Sequence, residues 1–263
     1  MLDLIVASAM VQGAFFSPPL DRDFAYVTEQ VRTDESGERR YRIERTLRFA
    51  RDGDGLFADL TLNRIIGDKG GEGAMFERAL AGLKGRTVRY RLSPYGTLVS
   101  IDAIDGHWSA LVDGMAGDAK GTRGAPIVEA LRAAPPTRRT AMFWSMLDPL
   151  IIAAIAADGP YTHRPVSQAG QSAGGAPELM SGTERLERTD GGGLRLTRIV
   201  QGRRAAAGGP SATTTAPAIE RERETTALLD PQTGLLAQST DRMRLRIGGR
   251  DQVSTTRITL TES

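Results

Sequence analysis

His107 and His163 are the only imidazoles in the chain, and there is no cysteine. The two histidines lie far apart, and neither has a second His or Cys at metal-ligand spacing. The sequence therefore carries no transition-metal signature. Lack of Cys also excludes disulfides, thiolate chemistry and a lipidated-Cys anchor. Residues 67–73, Gly-Asp-Lys-Gly-Gly-Glu-Gly, fall between a strand pattern and a helix pattern, the context of a phosphate cradle. The residues do not fit one: no Gly-Lys-Ser/Thr is present, the third glycine of a dinucleotide loop is missing, and Asp68 and Glu72 would repel phosphate. Glu220, Glu222 and Glu224 share one strand face, and Arg242, Arg244 and Arg246 share one face of the next. If register keeps these faces together they form cross-strand ion pairs rather than an anion site. No catalytic residue, cofactor or metal emerges, and the expectation is a protein that is not an enzyme.

One apolar set could bind something. Met142, Phe143, Met146, Leu147, Leu150, Ile151 and Ile155 recur at helical spacing as a stripe. As plain core they would cover a sheet. As a cavity lining they would hold a lipid or other apolar ligand, and Met suits an irregular apolar shape. Asp148-Pro149 within the stripe reads as an N-cap and first helical residue, so one kinked helix or two abutting helices both fit.

The elements that must position this stripe are two β-type meanders flanking it. In the first, from about Phe24 to Ala103, Tyr41, Ile43, Leu47 and Phe49 alternate with the polar Arg40, Arg42, Glu44, Thr46 and Arg48, and only Arg45 breaks the apolar set. Period-two alternation means one wet and one buried face. Strands are expected near 24–33, 39–50 and 55–66, then a hairpin across Ser93-Pro94-Tyr95-Gly96. Met75, Phe76, Ala79, Leu80 and Leu83 mark a helix that Gly85 ends. The second meander, from Glu178 to Thr261, has strands near 178–189, 194–203 and 218–229. Its last hairpin turns at Asp230-Pro231-Gln232-Thr233-Gly234 and echoes the first. Residues 168–177 and 204–218 are rich in small residues and are expected to be mobile loops.

Composition sets the remaining bounds. The 263 residues are 40% hydrophobic and 25% charged with a net charge of +2, as in a globular protein with a real core. Bases and acids are interspersed and aromatics make up 5%, which argues against nucleic acid as a partner. No apolar run is long enough for a transmembrane segment. Residues 4–11 are a short apolar run followed by Gln12-Gly13-Ala14, small residues suited to signal peptidase. Residues 1–14 are therefore expected to be a signal peptide lacking its positive start, which places the protein in the periplasm or outside the cell. The alternative is an N-terminal buried segment of a cytoplasmic protein.

Residues 89–96, Arg-Tyr-Arg-Leu-Ser-Pro-Tyr-Gly, and 229–236, Leu-Asp-Pro-Gln-Thr-Gly-Leu-Leu, resemble strand–turn–strand units of uncharacterised secreted bacterial β-rich proteins. The order of meander, helices and meander also resembles the half-barrels of LolA-like periplasmic carriers. In those a curved antiparallel sheet wraps helices around an apolar cavity. That resemblance implies lipid or lipoprotein handling and carries over no binding residue. The expected fold is α+β: a curved antiparallel sheet, as a half-barrel or two facing sheets, with helices 105–116, 126–133 and 138–157 on its apolar side. Residues 15–263 are expected to form one domain. Its function would be to bind an apolar ligand or lipid between sheet and helices. The alternative is a structural or protein-interaction component of the cell envelope with no cavity.

Overall fold

The computed structural model describes residues 16–68, 77–78, 80–119, 125–152, 154–155, 158–170, 178–204 and 218–263. The first meander forms β1 (Asp23–Asp34), β2 (Gly37–Asp52), β3 (Gly55–Gly67), β4 (Thr87–Leu92) and β5 (Leu98–Ile101). Three helices follow: α1 (Ile104–Ala119), α2 (Ala125–Arg132) and α3 (Pro136–Trp144), then a 3-10 turn at Asp148–Leu150. The second meander forms β6 (Tyr161–Gly170), β7 (Glu178–Arg188), β8 (Leu194–Arg204), β9 (Ile219–Asp230), β10 (Leu235–Ile247) and β11 (Arg250–Glu262).

All eleven strands belong to one sheet in the order β5-β4-β3-β2-β1-β11-β10-β9-β8-β7-β6, and each neighbouring pair is antiparallel. The first and last strands therefore meet in the middle, with Phe24 opposite Glu262 and Tyr26 opposite Leu260. β5 and β6 are the two edges, and the sheet is open. The chain must cross the whole sheet between these edges, and the helical middle makes that crossing on the apolar side. A flat sheet of this width would span roughly 48 Å at the usual strand spacing. Register shifts at Glu44/Arg45, Arg91/Leu92, Leu236/Gln238 and Tyr161/Arg164 bend the strands and curve the sheet.

One core cluster joins the two halves: Leu47, Phe49, Leu60 and Tyr90 from one, Leu186, Leu196 and Leu229 from the other, with Trp108, Phe143 and Leu150 from the cover. The two similar hairpin turns come together. Phe16 donates its backbone N–H to Pro94 O and Ser17 donates to Thr233 O, at 3.3 and 3.1 Å. Gly96 lies at φ +78° and Gly234 at +73°, left-handed values that favour glycine.

The structure corrects four expectations. The third helix does not run over 138–157; it ends at Trp144. Pro149 lacks an N–H to continue it, and its ring would meet the carbonyl of Ser145. Ile151 instead bridges Leu235 of β10, and Ile152 N–H donates to Gly234 O at 2.9 Å. β6 was not expected as a strand. Its Pro165 is tolerated because β6 is an edge. Residues 168–170 are the end of β6 rather than the start of a loop, and Arg204 is still β8. The first two helices match expectation more closely, α1 being about one turn longer than 105–116. The proposed signal peptide at 1–14, the loop residues 171–177 and 205–217, and Met75, Phe76 and Ala79 lie outside the described residues.

Candidate functional site

The β2 alternation sends Ile43, Arg45, Leu47 and Phe49 to the concave side. In register, Tyr26 of β1 stands opposite Arg45 on one side and Leu62 of β3 on the other. Leu60 and Leu62 of β3 and Val88 of β4 continue the floor, since Leu60 faces Val88 across the next pair. Leu80 and Leu83, from the helical turn that precedes β4, and Met146, from the segment after α3, cover it. Together with Arg45 and Arg86 these residues enclose a small hollow of about 20 Å³. That volume admits about one water. Larger concavities, near 400 Å³, lie at strand ends; two are lined largely by charged or polar groups such as Arg203, Glu220, Glu222 and Arg244, and a third by the glycines 191–193 with Leu194, Leu228 and Leu229 beside the Asp230–Gln232 turn.

Arg45 is the anomaly of this region. Its Nη1 donates to Thr28 Oγ1 at 3.0 Å, and its guanidinium sits 4.7 Å from the centre of the Tyr26 ring. It forms no ion pair among the described residues, and burial pulls its pKa down despite the opposing influence of Tyr26 and Tyr90. Several other arginines on the same face are paired, and Arg51 and Arg188, unpaired among the described residues, are exposed. Arg39 meets Asp34 at 2.9 Å, Arg223 meets Asp241 at 2.7 Å, and Arg164 and Arg198 both meet Glu184.

The seven residues of the expected apolar stripe separate into different environments. Phe143, Leu147 and Leu150 are 0% exposed and belong to the filled core. Ile151 and Ile155 pack against that core, and Met142 is 36% exposed. Only Met146 lines the hollow. Phe143 is held through its carbonyl, which accepts the Tyr90 hydroxyl at 3.0 Å, and burial raises the Tyr90 pKa. The Phe143 ring lies 6.4 Å from Trp108, edge-on, and 6.1 Å from His107.

Glu184 is a second feature that sequence reasoning missed. It is 2% exposed yet charged, at the centre of β7. Tyr161 Oη donates to its Oε1 at 2.6 Å, Arg164 Nε to Oε1 at 2.7 Å and Arg198 Nε to Oε2 at 2.7 Å. Burial alone would raise its pKa, but these donors together bring it below the usual value, and burial beside Glu184 pushes Tyr161 up to about 12. Arg164 also holds Asp158 at 2.6 Å. The group is fully partnered and pins the edge strand β6. Its signal in the sequence is a Glu at a concave-facing position, flanked in register by Arg164 and Arg198.

The expected charge ladder is in register: Glu224, Glu222 and Glu220 face Arg242, Arg244 and Arg246. The ion pairs differ, since Arg244 and Arg246 reach Asp251 at 2.6 and 2.9 Å and Arg246 reaches Glu220 only at 3.5 Å. Of the glycine loop, Gly67 and Asp68 are described. Gly67 N–H donates to Glu77 and Asp68 accepts from Arg40 N–H, both at 2.6 Å. His107 lies in α1 and His163 is exposed on β6. Among the described residues no cluster of three His, Asp or Glu could hold a metal. Residues 170–174, Gly-Gln-Ser-Ala-Gly, do have the Gly-x-Ser-x-Gly spacing. Only Gly170, the last residue of β6, is described, and the next described element is the antiparallel strand β7 rather than the helix that a nucleophile elbow requires. No helix of the described residues is long and apolar enough to cross a membrane.

No family model and no curated protein match this sequence. Among solved structures, the chain is similar to a Vibrio parahaemolyticus domain named for outer membrane lipoprotein sorting. The identity is 7%, the match covers 92% of this chain and 86% of that one, and the TM-score is 0.19. A likeness at that score carries no argument about what this protein does.

Proposed function

We propose that this protein is a non-enzymatic binding module of the bacterial envelope, periplasmic or secreted, that takes an apolar ligand between sheet and helical cover. The observation that supports this is the hollow under Leu80, Leu83 and Met146. It is an apolar concavity on the inner face, and its cover combines the buried Leu83 with the only partly buried Leu80 and the unbranched Met146. Ligand sites usually measure roughly 300–1,000 Å³, so binding requires these covering side chains to move outward. Solvent extraction of the purified protein, followed by mass spectrometry of the extract, tests the reading. A co-purifying lipid, or saturable uptake of a fluorescent fatty-acyl probe, is expected. Absence of both removes the reading. Export is tested by the mass of the protein from a native-like host: loss of the first 13 or 14 residues is expected, and an intact N-terminus in the cytosolic fraction refutes it.

A second reading has its own support. Phe143, Leu147 and Leu150 have no exposed surface, so most of the space beneath the cover is filled. A structural or protein-interaction component needs nothing more. It predicts no probe uptake and capture of the intact protein by envelope partners.

A further inference from the structure

We infer that the ligand is an amphiphile with one acidic group, a carboxylate or phosphate ester, which Arg45 binds while the apolar chain lies against Leu60, Leu62 and Val88. This rests on the proposed reading that the hollow takes a ligand, and it names the ligand's chemistry. Arginine stays protonated at any physiological pH, so its charge cannot be shed on burial. A partly buried guanidinium with only a hydroxyl and a ring for company keeps donor capacity unused, since it has five N–H donors in a fork shaped for carboxylate or phosphate. Replacing such a group by an apolar one often costs nothing or stabilises. Its position beside the apolar floor of Leu60, Leu62 and Val88 therefore points to binding.

Three further observations agree. The register shift between Glu44 and Arg45 sits at this residue, and such bulges re-aim side chains beside sites. Arg86, the second cation at the hollow, also forms no ion pair among the described residues, so two positive groups face the same small space. Among the described residues, the strand carboxylates of the concave face, Glu184, Asp241, Asp34 and Glu262, are all taken by other arginines. The positive charge at the hollow is thus left for a partner from outside the chain.

The test uses the full chain and four probes of equal chain length: palmitate, palmitoyl lysophosphatidic acid, hexadecanol and hexadecyltrimethylammonium. Binding is followed by displacement of a fluorescent fatty-acyl reporter. Both acids should bind about ten-fold or more tightly than the alcohol, in keeping with a charge-assisted hydrogen bond, and the cation should bind most weakly. The ratio of the two acids separates a carboxylate from a phosphate ligand. Arg45→Gln should bring acid and alcohol to the same affinity and leave the alcohol's own affinity within about two-fold, while Arg45→Lys should restore part of the preference. A wild type that binds acid and alcohol equally overturns the inference and leaves the apolar-ligand reading standing. Binding of none of the probes overturns both. A thermal midpoint measured without ligand guards against misfolding. Arg45→Met should hold or raise it, whereas a large drop joined to an unchanged acid preference would mean that Arg45 serves packing alone.

Discussion

Phe143→Ala tests whether cover and sheet are one structure. Phe143 is fully buried, edge-on to Trp108, and its carbonyl takes the Tyr90 hydroxyl. Truncation removes the ring but leaves the carbonyl, so the Tyr90 bond survives and the loss is one of packing. A buried Phe→Ala change costs about 3–5 kcal/mol, and the edge-to-face contact accounts for roughly 1 kcal/mol of it. We expect about 4 kcal/mol, a urea midpoint lower by about 1.5 M or more for ordinary slopes. The assay has a built-in control, because the chain's two tryptophans, Trp108 and Trp144, both sit in the cover next to the substitution. Their fluorescence reports the cover, and far-ultraviolet circular dichroism reports the sheet. Both signals should shift together. A fluorescence transition that moves alone would show that the helices melt off an intact sheet. A loss under about 1.5 kcal/mol by both signals would refute the filled-core assignment of Phe143.

Glu184→Ala should cost about 2 kcal/mol, less than a fully buried pair, because Arg164 and Arg198 are 42% and 34% exposed; proteolysis at β6 should rise in step. The Glu184 pKa is lowered on folding, so its contribution is present above the ordinary glutamate value of 4.5 and lost as pH falls through the folded value, and a Glu184→Gln variant should lack that acid-limb slope. His107 behaves in the same direction for a different reason. Burial first, then Arg86, lowers its pKa, and its Nδ1 is buried without a partner, so stability should fall as pH drops below about 6.5, and His107→Gln should flatten that slope. Gly82→Ala should lose about 1–3 kcal/mol, because an added Cβ would stand 1.9 Å from the Ala110 carbonyl of α1; a neutral result would mean the turn before Leu83 does not rest on α1.

Local pattern made much of this fold legible. The alternation of β2 and the Pro-Gly chemistry of the two hairpin turns are short-range signals, and both elements formed as those signals require. The Glu220–Glu224 and Arg242–Arg246 faces also met, but only because the register shift between Leu236 and Gln238 moves the pairing by one residue from the one the turn sets, and no local signal marked that shift. What failed depended on partners distant in the chain. Residues 151–152 carry the apolar spacing of a helix, yet they are drawn out to bridge β10, a contact that only the assembled sheet offers. β6 has the composition of a loop and becomes a strand because Glu184 and the β7 edge give it a template. Joining β1 to β11 was beyond any local signal, since it closes the longest loop in the chain. For the site, the apolar stripe was visible, but the division of its residues between core and hollow was not. The break at Arg45 was visible too. Its meaning depended on which carboxylates the other strands bring near.

The split of the stripe gives the ligand reading a location. Phe143, Leu147 and Leu150 anchor the cover, whereas Leu80, Leu83 and Met146 roof the hollow. A ligand entering at the hollow needs only the partly buried side chains of the roof, Leu80 and Met146, to yield, since Leu83 belongs to the core. Met146→Ala removes part of the roof from a residue that is only half-buried, so it should cost about 1–2 kcal/mol, below the range for a fully buried Met. It should also raise probe affinity, because part of the displacement on binding is already done. Phe143→Ala opens space of similar kind at the anchor end and should lower stability more while gaining no affinity for an acidic probe. The two variants thus rank in opposite orders by the size of their effect on stability and on binding. If Phe143→Ala gains affinity and Met146→Ala does not, the ligand enters beneath the anchor and the hollow is only a packing defect.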